Sequence, residues 1–169
     1  METIDILAAE SAITKQIKKY GISMDLIDRE LGYSLFAKDS YYDCGEFYTG
    51  EGKGFIDKIC MVHPNREAMF HYMTNIIIEV DSETSARSST YGFVVARTLP
   101  DQSGNQYVVH SNARYLDEWV KEDGVWKILR RTAKLQIGNM VPLSVSWPLD
   151  YVERDKSNMF YELFPEFKL

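Results

Sequence analysis

Asp25 is the first residue whose placement carries a chemical cost. It shares an apolar stripe with Ile17, Gly21 and Met24, near the end of a helical segment. Burial disfavours a carboxylate's charge and the negative end of the helix dipole repels it, so a buried Asp25 needs a partner. The other reading open to it is an aspartate at a helix end turned to water. His71 is the second candidate, at the start of the β-branched segment after Phe70. An imidazole there is either a proton acceptor near neutral pH or a hydrogen-bonded histidine of core or surface. His63, beside Pro64 at a helix end, reads as structural, and His110 can face either side of a later strand.

Arg130 and Arg131 follow Trp126. Strict strand alternation puts Arg130 on the face of Trp126 and Ile128, and Arg131 on the opposite one. The chain has no phosphate-binding glycine loop, dinucleotide fingerprint, paired metal-ligand motif or nucleophile elbow. Chemistry must come from a few side chains in a pocket, and no metal or organic cofactor is expected.

Helices come first along the chain and sheet second. Ile6, Ile13, Ile17, Tyr20 and Met24 recur at helical spacing, which predicts a helix from about Ile4 to the region of Asp25. Asp28 suits the N-cap of a short second helix carrying Leu31, Leu35 and Phe36 on one face. Tyr41–Cys44 reads as a short strand and Tyr48–Gly52 as a loop. A third helix carries Phe55, Ile59 and Val62 and stops at Pro64. Strands follow over His71–Val80, Ala86–Leu99, Gln106 to about Val120, and Val125 to about Gln136, joined by turn-forming segments. Helices followed by a long meander define an α+β fold, not a doubly wound α/β one. One domain is expected over residues 1–140. The tail, 141–169, carries Trp147, Tyr151, Phe160, Tyr161, Phe164 and Phe167 and is expected to dock on its own sheet or on a neighbouring subunit.

The composition of the 169 residues, 45% apolar and 26% charged, is that of a globular protein. A net charge of -6 without a basic stripe argues against nucleic acid as a partner. No apolar run approaches the ~20 residues that span a bilayer. Met1–Glu10 lacks the basic start of a signal peptide, and Cys44 and Cys60 show no metal or disulfide spacing. A cytoplasmic protein is the expectation. Eleven tyrosines among many aromatics favour a pocket for an aromatic or polycyclic ligand.

Three blocks resemble the SnoaL-like family of the nuclear-transport-factor-2-like superfamily. They are the first helix with Asp25 through Phe36–Asp39, His71–Asn75 with the strand after it, and Tyr115 onward through Asp123-Gly124-Val125-Trp126-Lys127-Ile128. The resemblance implies a cone-shaped fold with N-terminal helices packed on a curved, mostly antiparallel sheet. The Asp25 and His71 positions are similar to the His–Asp dyad of the hexachlorocyclohexane dehydrochlorinase and scytalone dehydratase branch, whose members are cofactor-free lyases. By that likeness His71 is the base, Asp25 orients it, Arg131 assists the leaving group, and Tyr42 and Tyr115 line the pocket. Tyr20 stands where the dehydrochlorinase has a lysine, and Ala113 and Tyr115 lie where scytalone dehydratase has small polar side chains. The resemblance therefore carries no substrate.

The resulting expectation is a lyase acting on a hydrophobic, aromatic or alicyclic molecule with loss of water, formaldehyde or a similar group. The alternatives are an isomerase or cyclase of the steroid or polyketide type, or the structural small subunit of a ring-hydroxylating dioxygenase. A homo-oligomer is expected, with a trimer implied by the resemblance.

Overall fold

Helix α1, Thr3–Asp25, turns Ala9, Ile13, Ile17, Tyr20 and Met24 inward and buries them. A computed structural model describes residues 1–149 and 153–169 of the chain, so Tyr151 lies outside the described residues. Helix α2, Arg29–Ser34, starts at Asp28, whose carboxylate accepts from the Leu31 N–H at 3.1 Å. Between the two helices the chain reverses through Ile27, at φ 53°, while the Asp28 N–H reaches back to the Ser23 carbonyl at 2.9 Å. That is a helix-ending turn usually made by glycine.

The second helix ends earlier than its apolar spacing predicts. The Ile128 N–H bonds the Leu35 carbonyl at 2.8 Å and draws the chain onto the sheet, so Phe36 opens strand β1, Phe36–Asp43. The expected loop at Tyr48–Gly52 contains a short strand, β2, Thr49–Glu51, paired antiparallel to β1. Helix α3, Gly52–Val62, follows, with Phe55, Ile56 and Ile59 buried. Four long strands complete the sheet: β3, Arg66–Val80; β4, Ser85–Thr98; β5, Tyr107–Glu122; and β6, Val125–Pro142. The order is β2-β1-β6-β5-β4-β3, antiparallel throughout except for the parallel β1–β6 pair. This is the expected α+β architecture.

Bulges bend the long strands. The β5–β6 register shifts between Glu118 and Trp119 and again between Asn112 and Ala113, and the β3–β4 register shifts between Thr74 and Ile77. Each extra residue exchanges the two faces of a strand and curves it. The concave side receives α1 and α3, and the core forms there around Ile13, Ile17, Trp119, Trp126 and Ile128.

The tail is expected on its own sheet or on a neighbouring subunit, but its end, over residues 156–167, seats on the helices of its own chain, while residues 141 and 142 continue β6. Tyr161 and Phe167 pack with Leu31, backed by Ile22 and Leu26, and a short helix α4, Phe160–Leu163, lies beside them. The Lys156 ammonium and the Tyr161 hydroxyl both donate to Asp28 Oδ2. One carboxylate thus caps α2 and anchors the tail.

Candidate active site

The concave face leaves a cavity of about 410 Å³ between α1, α3 and the inner rows of β3 to β6. Its walls are mostly apolar, with Met24, Phe55, Ile59, Val94 and Leu135 among them. The polar groups on it are few, and His71 is one.

His71 sits near the middle of β3, opposite Val94 of β4. Helix α1 crosses close to it, since a Cβ placed on Gly21 would lie 3.4 Å from both the His71 Cβ and its carbonyl oxygen. One turn later comes Asp25. Its Oδ1 is 2.7 Å from His71 Nδ1, and its Oδ2 accepts the His71 main-chain N–H at 3.0 Å. Both carboxylate oxygens are therefore spent on one residue. A carboxylate accepts, so Nδ1 carries a proton, and in the neutral ring the lone pair is on Nε2. The side chains of His71 and Asp25 are 7% and 17% exposed, so the pair is largely shielded from water.

The cost of a carboxylate at a helix C-terminus is met by a residue the sequence reading did not single out. Arg154, from the tail, donates to the Asp25 carbonyl at 2.7 Å, the His63 carbonyl at 2.8 Å and the Arg66 carbonyl at 2.9 Å. It brings a cation to the negative end of α1 and ties that end to the start of β3. Its partners are backbone carbonyls, so no motif announces it.

His63 also lines the cavity, although its place beside Pro64 reads as structural. Its Nδ1 lies 3.3 Å from the Met24 carbonyl, and its ring centroid is 6.3 Å from that of His71. Burial lowers its pKa to about 4, and the charges of His71, Arg154 and Arg66 push in the same direction. His110 belongs to the other side of the sheet. There it stacks on Phe93 at 6.0 Å and bonds Asn139 at 3.2 Å, so it cannot replace His71 as a base in the cavity.

The arginines reverse the simple alternation. Leu129 is the extra residue of the first β5–β6 bulge, which places Arg131 on the inner face with Ile128 and leaves Arg130 exposed beside Glu118. Arg131 makes a paired contact with Asp117, Nε to Oδ1 at 2.6 Å and Nη2 to Oδ2 at 2.8 Å, with both side chains fully buried. Burial works against its charge, but Asp117 outweighs it and holds the pKa above the usual guanidinium value. Arg131 does not line the cavity. Its guanidinium lies one layer behind, 4.2 Å from the Tyr20 ring centre and 4.8 Å from that of Tyr115.

Tyr20, Tyr42 and Tyr115 all line the cavity. The Tyr20 and Tyr42 hydroxyls bond each other at 3.2 Å, and Tyr42 stacks on Phe55 at 3.8 Å. Burial raises the pKa of all three, so they remain neutral O–H groups rather than bases. Among the described residues no group of three or more His, Cys, Asp and Glu side chains is placed to hold a metal ion. No helix among them is long and apolar enough to cross a membrane.

Helices laid over the concave side of a bent, mostly antiparallel sheet give an α+β fold of the nuclear-transport-factor-2-like class, with a carboxylate-backed imidazole on the wall of the cavity between them. Within that class the chain belongs to the SnoaL-like domain family, whose profile matches residues 5–132. It is similar in structure to LinA, with a TM-score of 0.74 at 22% identity over 88% of this chain and 99% of the other. A protein put forward as a scytalone dehydratase from Novosphingobium aromaticivorans DSM 12444 gives a TM-score of 0.72 at 21% identity, covering 88% and 98%. The hexachlorocyclohexane dehydrochlorinase LinA-type3 from Novosphingobium barchaimii LL02 gives 0.69 at 21%, covering 88% and 99%. At these identities the likeness is one of fold. No curated protein matches the chain by sequence.

Proposed function

We propose that this protein is a cofactor-independent lyase acting on a hydrophobic small molecule, with His71 as the base and Asp25 as its partner. The observation that carries the reading is the double engagement of His71 by one carboxylate at the wall of an apolar cavity. Nε2 takes a proton from the substrate, and Asp25 stabilises the imidazolium as it forms. In a dehydration Nε2 takes a C–H proton, the electron pair left behind becomes the new C=C bond, and the departing hydroxide leaves as water with the proton returned from the imidazolium. In loss of formaldehyde Nε2 takes the hydroxymethyl O–H proton, C=O forms as the C–C bond breaks, and the proton returns to the carbon left behind. Tyr115 and whichever of Tyr20 and Tyr42 does not donate to the other supply neutral O–H donors for charge that develops on oxygen. Arg131 favours that charge from behind the tyrosine rings without touching the substrate. The fold is shared with a dehydrochlorinase and with a protein put forward as a scytalone dehydratase, and both names are those of lyases.

The test is a panel of hydroxylated aryl and alicyclic compounds, with release of water or formaldehyde followed by mass spectrometry. His71→Ala is expected to abolish turnover while preserving the circular dichroism spectrum. Near-normal turnover in a folded His71→Ala protein would overturn the assignment.

A further inference from the structure

The cavity holds two imidazoles, and their backing differs. Behind His71 lies a carboxylate, which stabilises a positive ring. Behind His63 lies the Met24 carbonyl, with the Arg66 and Arg154 guanidiniums near enough to disfavour a second cation. A carbonyl can only accept, so Nδ1 of His63 is the donor and its Nε2 has no proton. Among the described residues no hydrogen bond engages that nitrogen, and the ring borders the cavity. Two rings of the same type are thereby set to different tasks. His71 can take up a proton, whereas His63 can accept a hydrogen bond and keep its neutral form.

We propose that His63 is a second substrate-binding residue whose Nε2 accepts a hydrogen bond from a substrate hydroxyl, so that the cavity selects hydroxylated aromatic or alicyclic molecules over hydrocarbons and halocarbons of similar shape. This deepens the proposed function and rests on the cavity being the substrate site. An acceptor left unmade in an apolar cavity is unfavourable, and a substrate without a donor would leave it so. The spacing is suitable. The ring centroids are 6.3 Å apart, so one small molecule in the cavity can lie against both rings. The remaining polar groups on the wall do not duplicate this role: Arg66 only donates, and the tyrosine and serine hydroxyls donate as readily as they accept.

The experiment uses two probes of similar size, 2-phenylethanol and its methyl ether, with nitrogen-15 NMR of the histidine rings in the full chain. The alcohol is expected to shift the His63 Nε2 resonance, and the ether to leave it in place. The alcohol should bind more tightly by about three- to tenfold, the worth of one neutral hydrogen bond. His63→Phe should remove that preference, while His63→Gln, whose amide oxygen takes the place of Nε2, should retain part of it. A preference undiminished in folded His63→Phe would overturn the proposal, as would an alcohol that shifts only His71. Both outcomes leave His71 as the candidate base. Probes that shift neither ring would overturn the proposal together with the reading of the cavity as the substrate site.

Discussion

Asp25 holds His71 at two points, so its loss can be read in two ways. In Asp25→Asn the amide oxygen can still accept from the main-chain N–H, but the amide NH2 then faces Nδ1 and favours the tautomer with its proton on Nε2. Turnover is expected to fall by on the order of 10⁴, as for a base held in the wrong tautomer, with the ring's nitrogen-15 shifts reporting the exchange. The double change with His71→Ala should cost little more than His71→Ala alone, because the two act as a unit. His63 gives a stability prediction instead. Its pKa is about 4 in the folded protein against an ordinary 6.5, so between those values the unfolded chain binds a proton that the folded chain refuses. His63 has no effect above that window and lowers stability as pH falls through it, by up to about 3 kcal/mol near the lower end. Urea unfolding at neutral and acid pH should show a smaller acid loss for His63→Gln than for the parent. Asp25 and His71 stood out in the sequence as residue types out of keeping with their elements, but spacing alone left each a second reading, and it was the resemblance that paired them. Arg154 and the cavity role of His63 were not legible, because both are fixed by main-chain carbonyls, which have no side-chain identity to read.

At the scale of elements, the β5–β6 bulge at Leu129 decides which arginine enters the protein. Alternation read from Trp126 selects Arg130, and nothing in the residue types of Lys127–Arg131 signals the added residue. Helices α1 and α3 were legible from their apolar period. Strand β1 was cut short because its parallel partner, β6, lies far along the chain, and β2 was missed because it is three residues long and pairs only with β1. The buried Arg131–Asp117 pair yields a direct test: Asp117→Ala leaves a guanidinium uncompensated and should destabilise the fold by about 3–5 kcal/mol in chemical denaturation. Gly92 faces Tyr115 so closely that an added Cβ would lie 2.3 Å from the ring. Gly92→Ala must displace that ring from between Gly92 and Arg131, at a cost of about 1–3 kcal/mol in the same assay and with a change in probe binding.

At the scale of the whole molecule, the outer face of the sheet carries Phe70, Tyr72, Phe93, Leu116 and Ile137 exposed to solvent. A patch of that kind is characteristic of an association surface. We propose that a second copy of the chain covers it. Light scattering over a wide concentration range should give a multiple of the 19.6 kDa chain mass, and a monomer throughout would contradict it. The tail makes a separate prediction. Arg154→Ala should lower the thermal midpoint and speed hydrogen exchange at the Leu26 and Asp28 amides, which close the end of α1. Arg154 also has a place in time. The ribosome delivers α1, then β3, then the rest of the sheet, and only afterwards the residue that ties the end of α1 to the start of β3. A nascent chain that has emerged as far as Pro142 holds Asp25 and His71 but not yet the clamp between their elements. The site is thus finished last, by a segment that contributes no side chain to the candidate pair.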